Sequence, residues 1–112
     1  FSLLFLLLLL FPIQLVGQYS VSILAGSTSG SVNDIGTNAK FKNPWGVALA
    51  VNESFALVAE YTNHQIRKII MSTTEVVSFV GSTTGYVDGI GTNAKLDNPR
   101  DVSLSLDLSY AL

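Results

Sequence analysis

The residues able to carry chemistry are few and widely spaced. His64 is the single histidine, and cysteine is absent. A histidine can ligate a metal or move a proton near neutral pH. A lone imidazole with no clustered partners does not make a site. A structural role in the Asn63-His64 turn is therefore the preferred reading. Asp88-Gly89-Ile90-Gly91 has the look of a phosphate or calcium loop. It lacks both the alternating carboxylates of a calcium loop and the lysine of a phosphate loop. Glycines that permit unusual backbone angles explain it better. No catalytic residue, cofactor site or metal site is assigned.

Three further features invite a functional reading. Arg67-Lys68, with Lys40 and Lys42, is the only basic grouping. Successive strand residues point to opposite faces, so Arg67 and Lys68 cannot join one patch. The net charge of −2 also lacks the basic footprint of a nucleic-acid binder. Asn52-Glu53-Ser54 is a glycosylation sequon in a predicted hairpin turn. Trp45 is read as packing between neighbouring units, with stacking against a ligand as the alternative.

These residues sit in a chain of 112 residues that opens on Leu and Phe without charge. The apolar run is broken by Pro12 and Gln14 and followed by Leu15-Val16-Gly17. That is the pattern of a secretory signal peptide over 1–17, with cleavage after Gly17. The alternative, a membrane anchor, needs about 20 apolar residues. Secretion to the extracellular space is expected, with membrane attachment if the leader is retained or a later span exists.

The remainder repeats. Gly26-Ser27-Thr28 recurs as Gly81-Ser82-Thr83, and Ile35-Gly36-Thr37-Asn38-Ala39-Lys40 recurs unchanged as Ile90-Gly91-Thr92-Asn93-Ala94-Lys95. Asn43-Pro44 recurs as Asn98-Pro99. One offset of 55 residues relates all three pairs, giving repeats of about 21–75 and 76–112. Within one period, strands are predicted at Val21–Ala25, Trp45–Val51, Phe55–Glu60 and Gln65–Ile70, with Val76–Val80 as the second copy of the first. The last residues, ending at Leu112, read as strand as well. Gly26–Asn38 reads as a loop. Four antiparallel strands per repeat make the blade of an all-β propeller. Gly46, Ala48, Ala56 and Ala59 suit inner strands, where blades crowd.

The string Phe41-x-x-Pro44-x-Gly46-Val47-Ala48, with Leu57-Val58-Ala59-Glu60-x-x-Asn63-His64-x-Ile66-Arg67-Lys68-Ile69, resembles an NHL repeat. Ala25-Gly26 and Asp88-Gly89-x-Gly91-x-x-Ala94 match its extended form. Pro44, Pro99, Gly36, Gly91, Asn63 and His64 are the signature positions. The chain departs from the pattern at Glu60, where the family has Asp, and at Arg100-Asp101, where the first copy has Trp45-Gly46. The resemblance implies a six-bladed, TolB-like propeller, of which residues 18–112 are the N-terminal segment. It implies an extracellular, non-enzymatic binding or scaffold module for a protein or small ligand. The alternatives are a propeller enzyme, lactonase-like or peptide-amidating-lyase-like, whose metal would come from other blades, and the ectodomain of a membrane receptor.

Overall fold

The computed structural model describes residues 18–112. The signal-peptide reading of 1–17 lies outside the described residues. No described helix is long and apolar enough to cross a membrane.

Four strands form one antiparallel sheet in the order β1-β2-β3-β4: β1 Pro44–Leu49, β2 Phe55–Glu60, β3 Gln65–Ile70 and β4 Glu75–Gly81. Each joins the next by a short turn, as expected of one propeller blade. β2 and β3 are rich in the apolar and β-branched residues that pack on a pleated surface. Their register is unbroken from Phe55↔Ile70 to Glu60↔Gln65. β1 ends at Leu49, earlier than predicted. Ala50 and Val51 belong to the turn, where Ala50 N–H donates to the Phe55 carbonyl (2.9 Å) and Glu53 adopts φ 58°.

The sheet is out of phase with the sequence repeat. β1 to β3 come from the first period, whereas β4 opens the second. Val21–Ala25, the first-period counterpart of β4, is a correction to the sequence reading: it forms no strand. The reason is the lack of a neighbour equivalent to β3 among the described residues, which leaves Val21 and Ile23 exposed. Its surroundings nevertheless copy those of β4. Gly26 and Gly81 share positive φ (94° and 85°), and Gly36 lies against the Leu24 carbonyl as Gly91 lies against that of Phe79. The final stretch likewise falls short of a ladder, with a single bridge between Leu104 and Ala111. It repeats the β1–β2 pairing Leu49↔Ala56.

The two faces of the sheet carry separate cores. On one face, Ala56, Val58, Ile69 and Val76 pack under Ala39, with Ala25, Phe41 and Met71 beside them. The loop between Gly26 and Phe41 thus lies over the sheet. On the other face, Leu57, Ala59 and Ile66, with Ala48 beside them, receive Val102, Leu96 and Leu104 from the next repeat. Gly46 permits that approach, since a Cβ there would lie 2.6 Å from Asp101 Cα and 2.8 Å from the Arg100 carbonyl oxygen.

The first repeat has the counterpart of this interface one period back. Val102 is 8% exposed, whereas its counterpart Val47 is 68% exposed, and Leu49, the counterpart of Leu104, is exposed too. Val47 and Leu49 therefore form an apolar edge that no described residue covers, suited to a surface like Leu57, Ala59 and Ile66 on a neighbouring unit. Such head-to-tail surfaces either close a ring or join copies. In sedimentation velocity, the chain is expected to self-associate, and Val47→Asp to shift it towards monomer without lowering its thermal midpoint. Val102→Asp, which buries an unpaired carboxylate, is expected to lower that midpoint.

Candidate functional site

Two clusters gather the polar and aromatic side chains. The first is buried. Glu60 ends β2, and Gln65 and Arg67 lie on β3, all on the face covered by the loop. Glu60 and Arg67 are both 0% exposed, and Arg67 Nη1 lies 3.2 Å from Glu60 Oε2. Gln65 Nε2 donates to the same oxygen at 2.7 Å. Lys42 N–H (2.8 Å) and Asn63 Nδ2 (3.1 Å) donate to Oε1. The Nη groups of Arg67 also donate to the loop, reaching the carbonyls of Lys40 (3.1 Å) and Val32 (2.9 Å) and Asn33 Oδ1 (2.6 Å). Its guanidinium also lies 5.2 Å from the centroid of the Phe41 ring. Arg67 Nε is the one buried side-chain polar atom without a partner among the described residues.

This arrangement leaves no free carboxylate edge or acceptor for chemistry. It staples the loop to the sheet by charge-assisted bonds in a dry setting. Sequence reading left Glu60 and Arg67 without these roles. The signal was there: polar residues at 60, 65 and 67 share one face once the hairpin register is known. Lys68 lies on the opposite face, with Nζ 4.6 Å from the centroid of Phe55 and 5.5 Å from that of Phe79. The basic pair is split.

His64 and Asn63 occupy the β2–β3 turn. His64 adopts φ 53°, and its Nδ1 accepts the Asn98 N–H at 3.1 Å. Asp97 Oδ1 lies 3.6 Å from the same nitrogen. Asp97 also accepts from Thr84 Oγ1 (3.1 Å) and the Tyr86 hydroxyl (2.9 Å). That hydrogen bond, and then the carboxylate charge, hold the Tyr86 pKa above its ordinary value. His64 thus clasps the second repeat to the first sheet. Gly36 and Gly91 open matching short 3₁₀ turns at φ 54° and 56°. Pro44 and Pro99 each follow an asparagine of positive φ, Asn43 at 48° and Asn98 at 50°.

The second cluster is exposed. Trp45 follows Asn43-Pro44 at a β-bulge, because Pro44 pairs with Glu60 and Gly46 with Ala59, leaving Trp45 outside the ladder. It stacks on Tyr61, with ring centroids 5.3 Å apart and an interplanar angle of 25°. Asn43 fixes this corner, accepting Tyr61 N–H at its carbonyl (3.1 Å) and donating Nδ2 to Thr62 Oγ1 (2.7 Å). Arg100 of the next repeat places its guanidinium 5.5 Å from the Trp45 ring centroid and 5.6 Å from that of Tyr61.

At the sequon, Asn52 Oδ1 accepts from Ser54 N–H (3.1 Å) and Oγ (2.7 Å). Asp107 does the same with Ser109 (3.0 and 2.7 Å), so both repeats close this turn alike. Those bonds hold the Asp107 carboxyl below its ordinary pKa. Among the described residues, no group of three or more His, Cys, Asp or Glu side chains is placed to hold a metal ion.

No family model matches the chain, and no curated protein matches it. Among solved structures, it is similar to an auxiliary nutrient binding protein from Bacteroides thetaiotaomicron. The TM-score is 0.71 at 19% identity, over 80% of this chain and 25% of that one. The chain therefore spans about a quarter of that protein's length. At this identity, the likeness shows the fold.

The buried cluster yields a stability expectation. Arg67→Met strands the Glu60 carboxylate and is expected to cost about 3–5 kcal/mol. The double variant Glu60→Gln, Arg67→Met is expected to lose less than the sum of the single losses, because no charge is left buried. Thermal unfolding of the variants followed by circular dichroism checks both.

Proposed function

We propose that this chain belongs to an extracellular NHL-type propeller of about six blades, and that it serves as a non-enzymatic binding scaffold. The observation that carries the reading is the repeated architecture. One loop, one turn and one inner-strand contact recur with the same geometry at successive repeats, and the second repeat docks on the first sheet. A scaffold of this kind presents loops at one end and varies them while the sheets stay fixed. The loops over 27–38 and 82–93 are the recognition elements in this reading. The solved neighbour, described as a nutrient binding protein, supports a binding role through its fold. The ligand is a protein or a small molecule, and nucleic acid is not expected for a chain of net charge −2.

Secretion and the sequon belong to the same proposal. Asn52 is exposed, and its Oδ1 takes part in the turn while Nδ2, the atom that would carry a glycan, is free of the turn's hydrogen bonds. In a eukaryotic secretory host, glycosidase treatment of the secreted protein is expected to lower its mass, and Asn52→Gln to abolish the change.

Turnover assays decide between scaffold and enzyme. The secreted full-length protein, incubated with lactones and with peptidyl-α-hydroxyglycine substrates, with and without added divalent metal, is expected to give no product above the buffer rate. Metal-dependent product formation would replace the scaffold reading with the enzyme one.

A further inference from the structure

The recurring Asn-Pro dipeptide repeats one backbone conformation and is followed by a different side chain each time. Asn43 and Asn98 share the positive-φ conformation. Both prolines fix the next step of the backbone. The displayed residue is Trp45 in the first repeat and Arg100 in the second, 55 positions on. In the first repeat, that residue is the extra one of a β-bulge. Bulges redirect a side chain out of the ladder and are common beside binding sites. Close approach at Gly46 brings the two displayed residues together.

The resulting surface has two properties. Trp45 is 62% exposed despite its stack on Tyr61, so a broad aromatic platform faces solvent. Arg100 is exposed and lies near both rings. The Arg67–Glu60 ion pair and the His64–Asp97 contact, the two acid–base contacts among the described residues, do not involve it. The nearest acids in sequence are already engaged. Asp97 bonds Thr84 and Tyr86, and Asp101 accepts its neighbour Val102 N–H at 2.9 Å. A guanidinium resting on aromatic rings keeps its N–H edge for a planar anion. An aromatic platform beside such an edge matches a ligand with an apolar ring face and a carboxylate.

We propose that Trp45, Tyr61 and Arg100 form a binding site for acidic carbohydrate, the uronic-acid ring stacking on the aromatic pair and its carboxylate meeting Arg100. The proposal rests on the scaffold reading and names the ligand class of one of its surfaces. Each repeat contributes one displayed residue to this rim, so the side chain after each Asn-Pro sets what that sector recognises.

Trp45 is the only tryptophan in the chain, which makes its fluorescence a direct reporter. The full chain is titrated with digalacturonic acid and, in parallel, with its methyl ester. Saturable quenching by the acid, with the ester bound about tenfold or more weakly, is expected for a charge-assisted pair. Arg100→Gln is expected to erase the preference for the acid, and Tyr61→Leu to weaken both ligands. Circular dichroism and thermal midpoints of these variants, changed only at exposed or half-buried side chains, verify that the sheet persists. Equal quenching by acid and ester, or an acid preference that survives Arg100→Gln, overturns the proposal. Absence of saturable quenching overturns it as well, while the scaffold reading stands on the turnover assays.

Discussion

A carboxylate and a guanidinium removed wholly from water govern this structure. Desolvating the Glu60–Arg67 pair is costly, and the direct attraction alone does not guarantee recovery of that cost. The balance comes from the partners around it. Glu60 accepts from a backbone N–H, an asparagine, a glutamine and the arginine, while Arg67 donates to two loop carbonyls and Asn33. Most of these bonds join the sheet to residues 32–42, which precede it in sequence. The pair thereby fixes where the loop lies, and the loop in turn covers Ala56, Val58, Ile69 and Val76. A purely apolar contact would tolerate sliding. A directional network in a dry setting holds one arrangement.

Much of the fold was legible because the repeat and the alternation are local properties. The apolar runs of β2 and β3 and the turns between them follow from residue type and spacing. The early end of β1 is a local matter of its turn, whereas the missing strands reflect reliance on partners far away in sequence. Val21–Ala25 has strand composition, yet a strand needs a neighbour, and composition cannot supply one. The segment after Pro99 has the same difficulty. The buried network was hidden for a related reason. Glu60, Gln65 and Arg67 look like ordinary polar residues of a hairpin until its register puts them on one covered face. The substitution of Glu for the shorter acid of the resembled pattern also obscured it, since its reach to Arg67 is not evident from spacing.

Architecture and display are separable here. The sheet, its covering loop and the His64 clasp have structural partners for nearly all their polar groups. Trp45 and Arg100 differ, because Trp45 is left out of the β1–β2 pairing at a bulge and Arg100 is exposed beside it. The fold shared with a bacterial nutrient binding protein is compatible with many ligands. In the proposed scaffold, specificity comes from residues whose identity changes between repeats while their frame does not. Position 45 and its counterpart at 100 meet that description, as do the loop residues Asn33-Asp34 and Asp88-Gly89.

The mismatch in phase between repeat and sheet has a mechanical consequence. Because β4 begins the second period while β1 to β3 belong to the first, the repeats overlap like roof tiles rather than standing as separate bricks. Peeling away the second sequence repeat strips β4 from the sheet whose other three strands belong to the first. Repeat proteins with self-contained units come apart one unit at a time. Overlapped units couple each loss to the next, so resistance to pulling or proteolytic trimming becomes a property of the assembled array.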